Sequence, residues 1–212
     1  MKIAVLGSTG ATGRLVVAQA VARGHQVTAL ARNPDRLADP AVHGAADNLR
    51  AVRADVGDPA SVLAAVEGAD VVISALGITK GQDPRILSDG AALVAGAAPR
   101  VVWLGSLGLG ATRGALGRVN GVLLKRLLRH EWDAKAVADR AVLGAGGTLV
   151  HAGPLTDRPY QGGGTLVPAR DLKPRLIPPT APRAGIAALM LDEAEQLRFP
   201  ATATVALFSR RR

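Results

Sequence analysis

Short apolar runs alternate with segments of helical spacing through the first half of the chain. The runs are rich in Val, Ile, Leu and Ala, and they predict strands at residues 2–6, 26–31, 49–54, 69–75 and 100–104. Between them, apolar residues recur at helical intervals and predict helices at residues 12–23, 59–67 and 84–98. Strands that alternate with helices of this length are typical of a doubly wound parallel sheet with helices on both faces.

Two helix boundaries agree with this pattern. Gly24 follows the first predicted helix, and glycine is common just beyond a helix end. Asp58 precedes Pro59 at the start of the second predicted helix. This order predicts Asp58 as the N-cap and Pro59 as the first helical residue.

The second half of the chain is less regular. Its pattern predicts helices at residues 119–129, 132–143 and 184–195, and short strands at residues 148–150 and 204–208. Residues 153–180 are rich in Gly and Pro and predict a loop region over the sheet. We see no internal repeat and no long linker, so we predict one α/β domain over residues 1–212, with a short irregular substrate-side region at about 153–183. The arginines at 210–212 predict a frayed, charged end.

Composition excludes several classes of site. The chain has no cysteine, which excludes disulfides, thiolate metal sites and cysteine nucleophiles, and favours a cytoplasmic location. The four histidines show no metal-ligand spacing, so we predict no metal site. The apolar start is too short for a signal peptide, and no uncharged apolar run approaches the ~18 residues of a membrane span. We therefore expect no membrane attachment.

The net charge of +9 comes mostly from arginine and suits a polyanionic ligand. Two Trp, one Tyr and two Phe are scattered along the chain. Proteins that bind single-stranded nucleic acid usually place aromatic residues among basic ones, so we expect no nucleic-acid partner. The alternative interpretation of the arginines is a solvated surface.

Three glycines with the spacing GxxGxxG stand between the first predicted strand and the first predicted helix. Gly7 permits the tight turn, Gly10 lets the backbone approach a pyrophosphate, and Gly13 lets the helix pack closely on the strand. The helix N-terminus then offers free N–H groups and a partial positive charge to phosphates. The motif predicts a dinucleotide site on a sheet of Rossmann type, with an ordinary glycine turn as the alternative. The loop residues expected at the cofactor are Gly7, Thr9, Gly10, Ala11, Thr12 and Gly13.

The end of the second predicted strand bears on the type of dinucleotide. An NAD-binding site usually carries Asp or Glu there, which holds the ribose 2′-hydroxyl. This chain carries Arg32, with Arg36 one turn further on, and Pro34 turns Asp35 away. Guanidinium groups bind a 2′-phosphate through charge-assisted hydrogen bonds, so the pattern predicts NADP(H). The alternative is that Arg32 is a surface residue.

Two more segments follow predicted strands at the carboxyl edge of the sheet, where cofactors lie. Asp55 and Val56 follow the third strand, and the Asp55 carboxylate is a candidate acceptor for the adenine amino group. Ala75, Leu76 and Gly77 follow the fourth strand, and small residues there let a cofactor pass close to the backbone. For either segment, ordinary turn chemistry is the alternative.

The sequence resembles the atypical short-chain dehydrogenase/reductases, and within them the NmrA-like NAD(P)H-binding group that includes biliverdin-IXβ and flavin reductases. The resemblance covers the chain to about Pro159 and rests on the segments GSTGATG, LARNPDRL, ADVVISALG, SDGAALVAGA, LGSLGLG and GPLTDRP. It implies that Ser106 lies near the nicotinamide and that Lys135 reaches toward the nicotinamide ribose. These two residues are the candidate catalytic residues, with a turn cap and a solvated helix lysine as the alternatives.

The chain departs from this family in its acid/base residues. The family's Tyr-x-x-x-Lys pair is missing, because the only tyrosine, Tyr160, has Gly164 four residues on. An Arg-Pro-Gly sequence of the relatives reads HAG at residues 151–153, and Pro154 stands where flavin-reductase relatives carry a histidine. His151 is a candidate proton donor, with a packed or capping role as the alternative.

These features leave two functions open. One is an NADPH-dependent reductase, monomeric or homodimeric, that transfers hydride to a small planar acceptor such as a flavin or quinone. Hydride transfer does not strictly require a protein acid, because the cofactor carries the chemistry. The other is a non-catalytic protein that senses NAD(P)(H), which the missing tyrosine favours.

Overall fold

The computed structural model describes residues 1–37, 47–79, 81–113, 115, 131–173 and 178–208. Its strands are β1 (Lys2–Leu6), β2 (Gln26–Ala31), β3 (Leu49–Arg53), β4 (Val71–Ser74), β5 (Val101–Ser106), β6 (Thr148–Ala152), β7 (Leu155–Thr156), β8 (Gly164–Pro168), β9 (Ala181–Pro182) and β10 (Ala203–Phe208). Its α-helices are α1 (Ala11–Ala22), α2 (Pro59–Val66), α3 (Arg85–Ala97), α4 (Trp132–Gly144) and α5 (Arg183–Gln196).

Eight of these strands form one sheet in the order β3-β2-β1-β4-β5-β6-β10-β8. Neighbouring strands are parallel except β10 and β8, which pair in antiparallel fashion. Because β1 lies between β2 and β4, the direction of winding reverses beside β1. A crevice opens at such a switch point at the carboxyl ends of the strands, and ligands bind there in open α/β sheets.

Two apolar layers hold the helices to the sheet. On one face, Val16 and Val17 of α1 join Ile186 of α5 in one buried cluster. On the other face, Val62 of α2 and Val94 of α3 join buried residues of α4 and the sheet in a second cluster. The doubly wound α/β architecture predicted from the sequence is therefore confirmed. No α-helix among the described residues is long and apolar enough to cross a membrane.

The predicted strands and helices within the described residues lie within two residues of the observed bounds. The predicted N-cap at Asp58 is only partly right, because Asp58 precedes α2 but its side chain makes no capping hydrogen bond. Its backbone N–H instead donates to Asp55 O at 2.9 Å, in a turn where Asp55 Oδ1 accepts from Gly57 N at 2.9 Å. The predicted helix 119–129 and the arginines at 210–212 lie outside the described residues.

The loop predicted over residues 153–180 is wrong in one respect, since it contains β7 and β8. β8 is an edge strand that pairs with β10, and Pro168 ends it where an unpaired edge tolerates proline. The strand is only five residues long and follows Gly162 and Gly163, both at positive φ. The local pattern of five residues is too short to predict a strand. The strand forms because it pairs with β10, which is distant in sequence.

Candidate functional site

The glycine-rich loop joins β1 to α1 at the centre of the carboxyl edge. Gly7 has φ +78°, and a Cβ there would lie 2.8 Å from the backbone of Ala75 at the end of β4. A Cβ at Gly13 would overlap the carbonyl oxygen of Gly7, so this glycine permits the close packing of α1 on the loop. Gly10 precedes α1 at φ −73°, an ordinary conformation for any residue, and is exposed to solvent.

The N-terminus of α1 is suited to an anion. Gly10 at the N-cap position provides no side-chain hydrogen bond, and the first turn of the helix carries no acidic residue. The N–H groups of this turn are therefore not capped by a side chain, and the helix dipole is not neutralised there by a carboxylate. A pyrophosphate has the charge and the acceptor oxygens that this arrangement binds.

Two side chains that the sequence analysis missed hold the loop against β2. Ser8 is fully buried and its Oγ donates to Leu30 O at 2.6 Å. Arg14 donates from Nε to Thr9 O at 3.1 Å and from Nη2 to Arg36 O at 2.8 Å. The loop and the segment after β2 are thus positioned as one unit. Ser8 stands within the glycine motif, whereas nothing in the sequence pattern singled out Arg14.

A cavity of about 660 Å³ runs along the carboxyl edge of the sheet. This volume is within the usual range for cofactor sites. All predicted site residues line the cavity except Gly13, which lies behind the loop: Gly7, Thr9, Gly10, Ala11, Thr12, Arg32, Arg36, Asp55, Val56, Ala75, Leu76, Gly77, Ser106 and Lys135. We call the part around Gly7, Gly10, Arg32 and Arg36 the loop end.

The loop end carries two exposed guanidinium groups. Arg32 and Arg36 both line the cavity, whereas Asp35 is absent from the described lining. Across from them, Asp55 lines the cavity with one carboxyl oxygen engaged by Gly57 N. This end therefore offers positive charge and fork-shaped donors to an anionic group.

The opposite part of the cavity contains a chain of three polar side chains. Lys135 Nζ donates to Ser106 Oγ at 3.1 Å and lies 2.7 Å from Glu131 Oε2. Glu131 and Lys135 are one helical turn apart, and Asp139 follows one turn later on the same face of α4. All four residues line the cavity, and we call this part the α4 end. Glu131 and Asp139 were not predicted from the sequence, although their four-residue spacing from Lys135 is visible there.

The remaining candidates lie in different surroundings. His151 is fully buried at the end of β6, with Nδ1 2.7 Å from Thr112 Oγ1. Tyr160 packs edge-on against Phe208 with ring centroids 5.9 Å apart, and it is not among the described residues that line the cavity. Among the described residues, no group of three His, Asp or Glu side chains could hold a metal ion.

The sequence profile of the NAD(P)H-binding family matches residues 7–196, which span the loop, the cavity and most of the sheet. The chain belongs to this family. The membership confirms the predicted class of cofactor as NAD(P)H, and it agrees with the position of the glycine-rich loop at the start of the match.

Known proteins are similar to this chain over different shares of its length. An isoflavone reductase homolog from Zea mays is 40% identical over 93 residues, which are 42% of this chain and 30% of that protein. The match thus spans less than a third of the relative. An anaerobilin reductase from Escherichia coli O157:H7 has a TM-score of 0.79 at 19% identity, covering 100% of this chain and 99% of that one.

A short-chain dehydrogenase/reductase from Veillonella parvula, solved in complex with NADP, also has a TM-score of 0.79. It is 14% identical, and the comparison covers 99% of this chain and 94% of that one. At these low sequence identities, the two structures show that the fold is shared and nothing more.

Proposed function

We propose that the chain is an NADPH-dependent reductase that transfers hydride to a small planar acceptor such as a flavin or a quinone. The observation that carries this proposal is that one continuous cavity joins the loop end to the Ser106–Lys135 pair. A dinucleotide carries phosphates at one part and a reactive ring at the other, so it matches both ends of the cavity. Two proteins of similar fold support this proposal: the Veillonella protein was solved in complex with NADP, and the Escherichia coli protein is a reductase.

The loop end would hold the adenosine and phosphate groups. The uncapped N-terminus of α1 binds the pyrophosphate, and Gly10 leaves room for its close approach. Arg32 and Arg36 bind the 2′-phosphate, which distinguishes NADPH from NADH. Asp55 and Val56 lie along the adenine, and Ala75, Leu76 and Gly77 let the ribose and pyrophosphate pass close to the backbone.

The α4 end would hold the nicotinamide and the acceptor. NADPH, when bound, supplies the hydride. Lys135 has three donors, of which Ser106 and Glu131 take two among the described residues, so one N–H remains for the nicotinamide ribose. Its ammonium group also stabilises negative charge that develops on the acceptor as hydride arrives. Ser106 orients the nicotinamide or the acceptor by hydrogen bonding.

Steady-state oxidation of NADPH with FMN and with menadione tests the proposal. We expect the wild type to oxidise NADPH faster than buffer with at least one acceptor, and Lys135→Ala to lower that rate. Lys2→Ala removes an exposed lysine at the opposite edge of the sheet and serves as the matched control. If the wild type oxidises NADPH no faster than buffer with any of the acceptors, the proposal that the chain is a reductase is contradicted.

A second candidate function is a non-catalytic sensor of NAD(P)(H). The position of Tyr160 favours it, because the only tyrosine packs on Phe208 and is not among the described residues that line the cavity. A protein that binds NADPH tightly and shows no turnover in the same assay would support this function instead of the first.

A further inference from the structure

A buried pair of titratable side chains lies behind the α4 end of the cavity. Asp139 is 3% exposed and still lines the cavity, and its Oδ2 lies 3.1 Å from Nε2 of the fully buried His151. The contact is one of proximity, because neither atom has a hydrogen-bond partner among the described residues. A buried carboxylate without a partner is costly, so this pair requires an explanation.

Two glycines make room for the pair. A Cβ at Gly105 would overlap the imidazole of His151, and a Cβ at Gly110, with φ +46°, would overlap Oδ2 of Asp139. Oδ2 is thus enclosed between the histidine and the glycine backbone. A proton that the carboxyl group exchanges with the cavity therefore passes through its other oxygen, Oδ1.

The hydrogen bonds of Thr112 determine where protons lie. Its Oγ1 accepts from Gly108 N at 2.9 Å and lies 3.0 Å from Leu109 O and 2.7 Å from His151 Nδ1. A hydroxyl has one proton to donate. If it donates to His151, the imidazole carries its proton on Nε2, facing Asp139. If it donates to Leu109, Nδ1 carries a proton, and Nε2 faces Asp139 with a proton only if the imidazole holds a second one.

Both arrangements can place a proton on His151 Nε2 toward Asp139, and they then differ by one proton in total. Rotation of the Thr112 hydroxyl, together with the uptake or loss of that proton, interconverts them while the heavy atoms stay in place. The Thr112–His151–Asp139 array can therefore hold or release one proton next to the cavity.

We propose that Asp139 is the proton donor of the reduction and that His151 positions it. This inference rests on the reductase proposed above. The C4–H bond of the dihydronicotinamide breaks, and its electron pair and hydrogen form the new bond to the acceptor. The dihydronicotinamide is oxidised and the acceptor is reduced by two electrons. The proton on Asp139 Oδ1 moves to a basic oxygen or nitrogen of the acceptor, which leaves a carboxylate whose charge is stabilised by the neighbouring Nε2 side of His151, 3.1 Å away. Water returns the proton after product release.

Asp139→Asn tests this role because asparagine keeps the shape and can still pair with His151, but cannot act as an acid. We expect kcat with menadione to fall on the order of 100-fold, as for loss of a general acid, with unchanged NADPH affinity. Asp139→Ala should show a similar loss, and added sodium formate should restore part of its rate. Asp133→Asn, on the exposed face of α4, is the matched control and should behave as wild type.

The outcomes separate this inference from the proposed function. If the wild type is active and the Asp139→Asn variant has the same kcat, the inference is overturned and the proposed reductase function still holds. A loss of rate that formate does not restore, together with weaker NADPH binding, assigns Asp139 a structural role and also overturns it. A wild type without turnover contradicts both the proposed reductase function and the role of Asp139. If Asp139→Asn does not fold, Asp139→Ala serves instead, and unchanged kcat in that variant overturns the inference.

Discussion

The two ends of the cavity are built in different ways. At the loop end, residues close in sequence shape the backbone: Gly10 N donates to Gly7 O at 3.0 Å, and Arg14 N donates to Gly10 O at 2.9 Å. At the α4 end, side chains distant in sequence meet: Lys135 and Ser106 are 29 residues apart. The loop end thus depends on glycines at fixed spacing, whereas the α4 end depends on pairs that only the folded sheet brings together.

The largest effect should come from crowding the backbone of the loop. In Gly13→Ala the added Cβ overlaps the Gly7 carbonyl oxygen, so α1 must move away from the loop. We expect a loss of stability of about 1–3 kcal/mol, as for an overpacked core, and weak NADPH binding. Urea denaturation measures the stability. Gly96→Ala, on α3 with open space around the new Cβ, is the control and should not be destabilised. An unaltered free energy of unfolding in Gly13→Ala would contradict the packing described here.

Gly10→Val should separate binding from folding at the same loop. The backbone at Gly10 is ordinary for valine and its Cβ would lie 3.3 Å from Gly7 O, so the fold should survive. The side chain should block the approach of the pyrophosphate and weaken NADPH binding by about 100-fold, equivalent to about 2.7 kcal/mol. Fluorescence titration measures the affinity. Unchanged affinity in a folded variant would remove the loop from the cofactor site.

Substitutions at the α4 end should change rate and affinity to smaller extents. Ser106→Ala should lower turnover about tenfold and leave NADPH affinity nearly intact, because its contact strengthens as charge shifts in the transition state. Lys135→Ala should also weaken NADPH binding, because a ribose contact is present before and during reaction. Paired measurements of NADPH affinity and NADPH oxidation test both variants. If the wild type is active and neither substitution changes its rate or its affinity for NADPH, Ser106 and Lys135 do not belong to the site.

The smallest effect concerns a charge cluster at the far end of α1. Burial raises the pKa of Glu195, but hydrogen bonds from His25 and Arg23 outweigh it and leave the pKa below its ordinary value of 4.5. The lowered pKa contributes stability above pH 4.5, and this contribution is lost as the pH falls through the folded-state value. Glu195→Gln should therefore cost about 0.5 kcal/mol at pH 7 and nothing in strong acid. Thermal melts across pH, with the exposed Glu67→Gln as control, measure the difference. An equal difference at every pH would contradict the charge assignment.

The contrast between the two ends also explains what the sequence could predict. The sheet, the glycine-rich loop and the place of Arg32 at the cavity were predictable, because periodicity and short motifs encode local structure. β8 was not, because its stability comes from pairing with β10. The places of Glu131 and Asp139 in the cavity were not, because they depend on how α4 packs against the sheet.

Arg32 lines the loop end of the cavity, where we propose that it binds the 2′-phosphate of NADPH. Titration calorimetry of the wild type and Arg32→Ala with NADPH and with NADH measures this directly. We predict that the wild type binds NADPH more tightly than NADH. Arg32→Ala should lose about 1.5–3 kcal/mol of NADPH binding and leave NADH binding unchanged, since NADH has no 2′-phosphate. Arg53→Ala, an exposed arginine on β3, should change neither affinity. A wild type that binds NADH as tightly as NADPH, or an Arg32→Ala variant that loses both equally, would contradict the account.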